Sequence, residues 1–280
     1  MMKPYTTFLA TILCLALMAF TTVPNTNAGE PADARKVKAT ENVKKDAGEE
    51  LARLFKEIPS EFELAEALKK IDASYIESLA VPVANVDSYL TREKQQLMVG
   101  VYFFDFCYAA AFAKKKKSEE YWYVLIELFD KKLHYETRIP ERLKKIDTEL
   151  EEMNEEKLRQ EIQDQINTLG EIFTKTDEDY DFLVNSLVGA FTEAIYVVAE
   201  LTAQSNYNQD FLKIVADQKN RVNLTFRVLE LFKGEIKSVD NYLAKLTPVR
   251  AVFEAGAIKN KSQVDAIRNA ITPLRKEIIE

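Results

Sequence analysis

Apolar residues recur at spacings of three and four along most of this chain, and runs that alternate strictly between apolar and polar are absent, so the pattern predicts helices throughout. Val43, Ala47, Leu51, Leu54, Phe55 and Ile58 form one stripe of a helix over 40–57, which Pro59 stops. Ser60-Glu61-Phe62-Glu63 reads as a capping box, with hydroxyl and carboxylate serving opposite ends of one first turn. The helix it opens is expected to reach about Ala80, before Pro82 breaks the chain. The next helix begins at Val86 or Thr91 and continues to Lys115, and Ser118 is expected to cap an aromatic-rich helix over 119–134. Pro140 suits the first position of a short helix, 140–146.

Residues 147–179 are the most polar stretch. Glu149 to Asn154 is either a loop or the start of a longer helix carrying Leu158, Ile162, Ile166, Leu169 and Phe173. Asp177 or Asp179 is expected to cap a long helix ending near Ala203, followed by a turn at Asn206–Asn208. A helix over Gln209–Lys233 ends at Gly234, and two more occupy 236–255, bent by Pro248, and 262–279, capped by Ser262 and bent by Pro273. No short repeat is evident, so a solenoid is not indicated. The fold expected is all-α: a single bundle of about eight to ten helices.

The N-terminus changes the domain picture. Lys3, the apolar run Phe8–Phe20 and the small residues before Gly29 predict a secretory signal over 1–28. The run is shorter than the roughly 20 residues needed to span a bilayer. Cys14 follows a bulky Leu13 and reads as part of the run, not as a lipidation site. Residues 29–39 are small, charged and aperiodic, a flexible leader to a helical domain over 40–280. Removing the first 28 residues takes away one lysine and no acid, so the net charge moves from −7 to −8. An acidic chain of this kind argues against nucleic acid as a partner. The run Lys114–Lys117 is expected at a solvated helix C-terminus, where cations suit the dipole. One cysteine, Cys107, remains in the mature chain, so no internal disulfide is available, and its apolar surroundings predict a buried, inert thiol.

Several chemistries lack their residues. The chain has one histidine, His134, read as a surface residue at a helix end, so two Glu-x-x-His motifs or a multi-histidine zinc site cannot be built. There is no Gly-x-Ser-x-Gly and no glycine-rich phosphate loop. No metal, cofactor or catalytic set is expected. Tyr121-Trp122-Tyr123 would point three ways from one helix and cannot form a single platform. Asn223-Leu224-Thr225 and Asn260-Lys261-Ser262 match a glycosylation pattern but fall in or beside helices.

The informative residues are two acids inside apolar helices. Asp105 lies among Phe103, Phe104, Phe106 and Cys107, and Glu193 among Phe191, Ala194, Ile195 and Val197. Each has a tyrosine three residues on, Tyr108 and Tyr196, sharing its helix face. An unpaired buried carboxylate is costly, so each must find a donor, a solvated cleft or a ligand. Gly100 and Gly189 precede the acids in a loose echo, and glycine inside a helix suggests close helix approach. Asp105, Glu193, Tyr102, Tyr108 and Tyr196 are therefore the candidate cluster, either fixing packing across helices or lining a pocket.

The stretches LMVGVYFFDFCYAAAF (97–112), SLVGAFTEAIYVVAEL (186–201), FLKIVADQKNRVNLTFRVLELFK (211–233) and SQVDAIRNAITPLRKEIIE (262–280) resemble an uncharacterised family of exported all-helical proteins of Gram-negative bacteria, some described as lipoproteins. Gly100, Tyr102, Asp105 and Tyr108 match its Gly-x-Tyr-x-x-Asp-x-x-Tyr pattern, and Gly189, Glu193 and Tyr196 its Gly-x-x-x-Glu-x-x-Tyr pattern. The chain departs from it at Phe191, where Trp is common, and in lacking a suitable lipidation cysteine. The resemblance implies a helical bundle in the periplasm and brings no activity. The leading expectation is a periplasmic binding or interaction module for a small molecule or an envelope protein, without a transmembrane helix in the mature chain. An envelope scaffold and an enzyme working through Asp105 and Glu193 are the alternatives.

Overall fold

The amphipathic stripes, caps and breakers place nine α-helices, after a helical stretch that ends before Pro59, among the residues that a computed structural model describes, which are 48–54, 56–135, 150, 152, 154–173 and 176–280. These all belong to one unit, Asn42–Glu280. The expected signal and leader, the start of the first expected helix, the expected helix at 140–146 and half of Glu149–Asn154 lie outside the described residues. Helical residues 48–54 precede Pro59. We number the helices α1 (Glu61–Lys70), α2 (Arg92–Ala111), α3 (Lys115–Glu127), α4 (Glu155–Ile172), α5 (Asp177–Gln204), α6 (Gln209–Asp217), α7 (Lys219–Leu231), α8 (Val239–Glu254) and α9 (Lys261–Ile279). No strand occurs among the described residues.

Helices α2 and α5 form the centre and pack on each other more extensively than any other pair. Both are apolar around nearly their whole circumference, as core helices must be. From Gln95 to Ala111 only Phe103 escapes burial. Helix α5 is long and apolar enough to cross a membrane, but 89% of that stretch is buried inside the protein. The crossing of the two helices depends on Gly100 and Gly189. A Cβ added at Gly100 would lie 1.9 Å from the Ser186 carbonyl oxygen, and one at Gly189 would lie 1.9 Å from the Leu97 carbonyl oxygen. The outer helices are one-sided: α9 buries Val264, Ile267, Ile271, Leu274 and Ile278, and packs on α5 and α8. Around the rim, the buried Arg221 of α7 donates to Glu61 at 2.8 Å and to the Ser60 carbonyl at 3.1 Å, tying α7 to the start of α1.

The capping box at Ser60 and Glu63 is present as the sequence reads. Other boundaries differ. The helix begun at Glu61 ends at Lys70 instead of Ala80, and residues 71–90 are a non-regular strap with short 3-10 turns at Glu77–Leu79 and Val83–Ser88. The polar groups that would have continued the helix are taken by side chains from α2, α3 and α9, described below. The lysine run sits at the N-terminal end of α3, not at a helix C-terminus. There the dipole opposes it, and ion pairs of Lys117 with Glu77 and Glu120, both at 2.8 Å, supply the compensation. Ser118 is inside that first turn, donating to the Lys114 carbonyl. After Glu127 the helix widens into a π turn at Leu128–Lys132. Thr176, not Asp177 or Asp179, caps α5, with Asp179 completing the box from the third position. The segment 209–233 is two helices, broken at Gln218, whose side chain accepts from Arg221 and donates to the Ile214 carbonyl. Asn260, not Ser262, caps α9. His134 is exposed just beyond the π turn.

Candidate functional site

The polar centre lies where α2, α5 and α9 meet beneath the strap. Asp105 and Glu193 are both 0% exposed. Glu193 is held by a two-pronged pairing with Arg275 of α9, each bond 2.7 Å. The same guanidinium donates to the Leu79 carbonyl at 2.7 Å and lies over the Tyr196 ring, 4.0 Å from its centroid. Asp105 accepts from the Val81 amide at 2.9 Å through Oδ2, while Oδ1 has no partner.

The tyrosines do not bond to their neighbouring acids. They hold the strap by its main chain. Tyr102 donates to the Pro82 carbonyl at 3.1 Å, and Tyr121 of α3 donates to the Val81 carbonyl at 3.2 Å. Tyr108 accepts from the Ile76 amide at 3.0 Å and donates to the Ser74 carbonyl at 3.4 Å. Gln95 donates to the Tyr89 carbonyl at 3.0 Å. Five candidates thus gather around one locus, with Tyr196 reaching it through Arg275. Gly100 and Gly189 lie on the α2–α5 contact that sets its width.

Burial, then the neighbouring charge of Glu193, raises Asp105 well above the ordinary carboxylate range, against the Val81 amide and Arg275. Burial raises Glu193 as well, and its hydrogen bonds and attraction to Arg275 oppose this. Arg275 matches the charge of Glu193, and burial beside that pair favours the protonated form of Asp105. Burial also pushes the Tyr108 hydroxyl up to about 12. The arrangement satisfies main-chain groups of the strap in the interior. The strap covers it.

Sequence reasoning missed Arg275, Tyr121, Tyr89 and the strap itself. Arg275 follows Leu274 of the buried α9 stripe, so its place on an inward flank was open to the pattern. Its partner was not. As the sequence implies, Tyr121 and Trp122 are buried while Tyr123 is 59% exposed.

A second feature is a half-open polar cleft of about 470 Å³ where the starts of α2 and α5 face the α7–α8 connection. Its acids Glu93, Glu178, Asp181 and Glu235 outnumber its bases Arg92 and Lys237. Asn185 organises its wall. It donates to Gln96 at 2.8 Å, and its oxygen lies 3.1 Å from the Tyr242 hydroxyl and 3.3 Å from that of Ser238. Among the described residues, no group of three or more His, Cys, Asp or Glu is placed to hold a metal ion.

Compared with protein-family models, curated proteins and solved structures, the chain has no match. Fold and geometry therefore define the class reached here: an all-α bundle with a closed polar centre.

Proposed function

We propose that this protein is an exported interaction module of the bacterial envelope that holds a partner and does not turn over a substrate. The observation that carries this reading is the closure of the acid pair. Asp105 and Glu193 are spent on the strap amide and on Arg275, with no exposed surface left for a reacting molecule. The signal-like N-terminus and the resemblance of residues 97–112 and 186–201 to exported helical proteins support the location. An enzyme using these acids would have to open the strap first.

Photocrosslinking in cells tests the reading. Leu90 at 85% exposure and Tyr123 at 59% are large apolar side chains standing in solvent. A photoreactive phenylalanine at either position should yield a discrete adduct in the periplasmic fraction. Adducts at neither, or retention of unprocessed chain in the cytoplasm, would remove the proposal.

A second reading rests on the cleft at Asn185. Its volume, about 470 Å³, is within the range of small-molecule sites, and its excess of acids favours a small cation. Spermidine should then raise the melting temperature more than glutamate at equal ionic strength, and equal shifts would dismiss this reading.

A further inference from the structure

The strap is bound as a peptide is bound. Apart from the surface ion pair of Glu77 with Lys117 and the Tyr75 ring, which packs on Tyr108 and lies under Lys114, the polar contacts that hold residues 74–82 go to its main chain: carbonyls of Ser74, Leu79, Val81 and Pro82, and amides of Ile76 and Val81. The groups that make them are side chains of α2, α3 and α9, fixed by helices whose own hydrogen bonding is complete without the strap. The strap has little regular structure of its own. Ile76, Ala80 and Pro82 are extended, lying beside the 3-10 turns at Glu77–Leu79 and Val83–Ser88. Only Leu79, Ala80 and Val81 are buried in its second half, while Ser74, Glu77, Ser78 and Pro82 are exposed. The segment is bounded by Asp72, in the left-handed region at φ 57°, and by the exposed Leu90.

We propose that these side chains form a groove that reads main chain, that residues 74–82 occupy it in the resting protein, and that a peptide segment of a partner, following the same path of extended residues around one tight turn and small or aliphatic at three successive positions, takes their place. This rests on the interaction-module reading and names the kind of partner. The argument is one of satisfaction. Asp105, Tyr102, Tyr108 and Tyr121 would be left buried and unpaired if an apolar surface replaced the strap, and Arg275 would keep only Glu193, a costly outcome. Only another backbone, with carbonyls and amides at matching intervals, restores every bond. Recognition through main-chain groups with pockets for alternate side chains is how extended peptides are held elsewhere. The strap is tethered at both ends, so it competes as if present at about millimolar concentration and masks the groove.

The test uses the full chain with Val81→Pro, which removes the amide that Asp105 accepts and leaves every groove residue in place. The probe is a fluorescein-labelled, acetylated peptide of residues 74–82, followed by anisotropy. The variant should bind it about tenfold or more tighter than the wild type, whose own strap competes. N-methylation of the peptide at the Val81 position should weaken binding about tenfold, because it deletes the N–H donated to Asp105. A folded variant that ignores the peptide, or that binds the methylated form equally well, overturns the proposal. Should the variant fail to fold, amide exchange in the wild type decides. Ile76 and Val81 exchanging about tenfold faster than Val101 of α2 would show the strap leaving an intact bundle, and equal rates would refute it. Crosslinks at Leu90 or Tyr123 that persist after a negative peptide result would keep the interaction module and remove only the groove.

Discussion

Asp105 shows how much one oxygen can decide. Its Oδ2 is the acceptor for the Val81 amide, so Asp105→Ala strands that donor in the interior and should cost about 1–3 kcal/mol, with a further loss for the cavity, read by urea unfolding. Asp105→Asn keeps an acceptor in place and should lose less. The two variants should also differ in pH response. Because the folded protein holds Asp105 above its unfolded value, the proton is bound more tightly in the native state. Its contribution to stability is complete below the unfolded carboxylate range and is lost as pH rises through the raised folded value. The surface acids Glu50, Asp87 and Asp265 are shifted downward and act in the opposite sense, while Asp181 and Glu193 are shifted upward with Asp105, so the total curve mixes these effects. The difference between wild type and Asp105→Asn isolates it. Relative to the variant, the wild type should lose melting temperature on going from acid toward alkaline pH. A constant difference across that range would mean that folding leaves the Asp105 carboxyl where it stands in the unfolded chain.

At the scale of elements, the α2–α5 crossing and the helix caps give sharper tests than the helices themselves. Helix propensity alone says that Gly100→Ala should stabilise by about 1 kcal/mol. The added Cβ would meet the Ser186 carbonyl oxygen at 1.9 Å, a backbone atom that cannot swing away. The helices must part, and overpacking of this kind costs about 1–3 kcal/mol or more, so the net change should be a loss. A stabilised Gly100→Ala would show that the helices are further apart than described. The caps separate in the same way. Asn260→Ala removes the side chain that accepts from the Gln263 amide and should cost about 1 kcal/mol, whereas Ser262→Ala, inside the first turn, should be nearly silent in thermal unfolding. Local pattern made the helices legible because each carries its stripe in its own sequence. It misplaced the caps of α5 and α9 by one to three residues, since several cap-forming side chains stand together there and only the backbone path selects one, and at Ser118 it expected a cap where α3 starts after Lys114 with no side-chain cap. It failed on the strap for a deeper reason. Ile71, Tyr75, Ile76 and Leu79 have helical spacing, but the groups that pull their backbone out of a helix lie on Tyr108, Asp105, Tyr121 and Arg275, far along the chain. For the same reason the candidate acids and tyrosines could be named from sequence while their partner, a stretch of main chain, could not.

For the whole molecule, stability has to come from the core, because the described part holds a single free cysteine and no disulfide. Cys107 is 0% exposed on the inner helix α2, and burial raises its thiol well above the ordinary range, so it is both shielded and poorly ionised. Its reaction with an aromatic disulfide reagent therefore reports opening of the bundle centre. The proposed processing adds a second count, since the full chain has two cysteines and Cys14 falls within the segment that export would remove. Protein recovered from the periplasm should react at one thiol in denaturant, and without denaturant that thiol should react only at the rate of global unfolding. Two thiols in denaturant would mean that the leader is retained. Fast labelling of Cys107 under native conditions would mean that α2 is not the centre of a closed bundle, and the buried pairing of Glu193 with Arg275 would lose the dry surroundings on which its geometry depends.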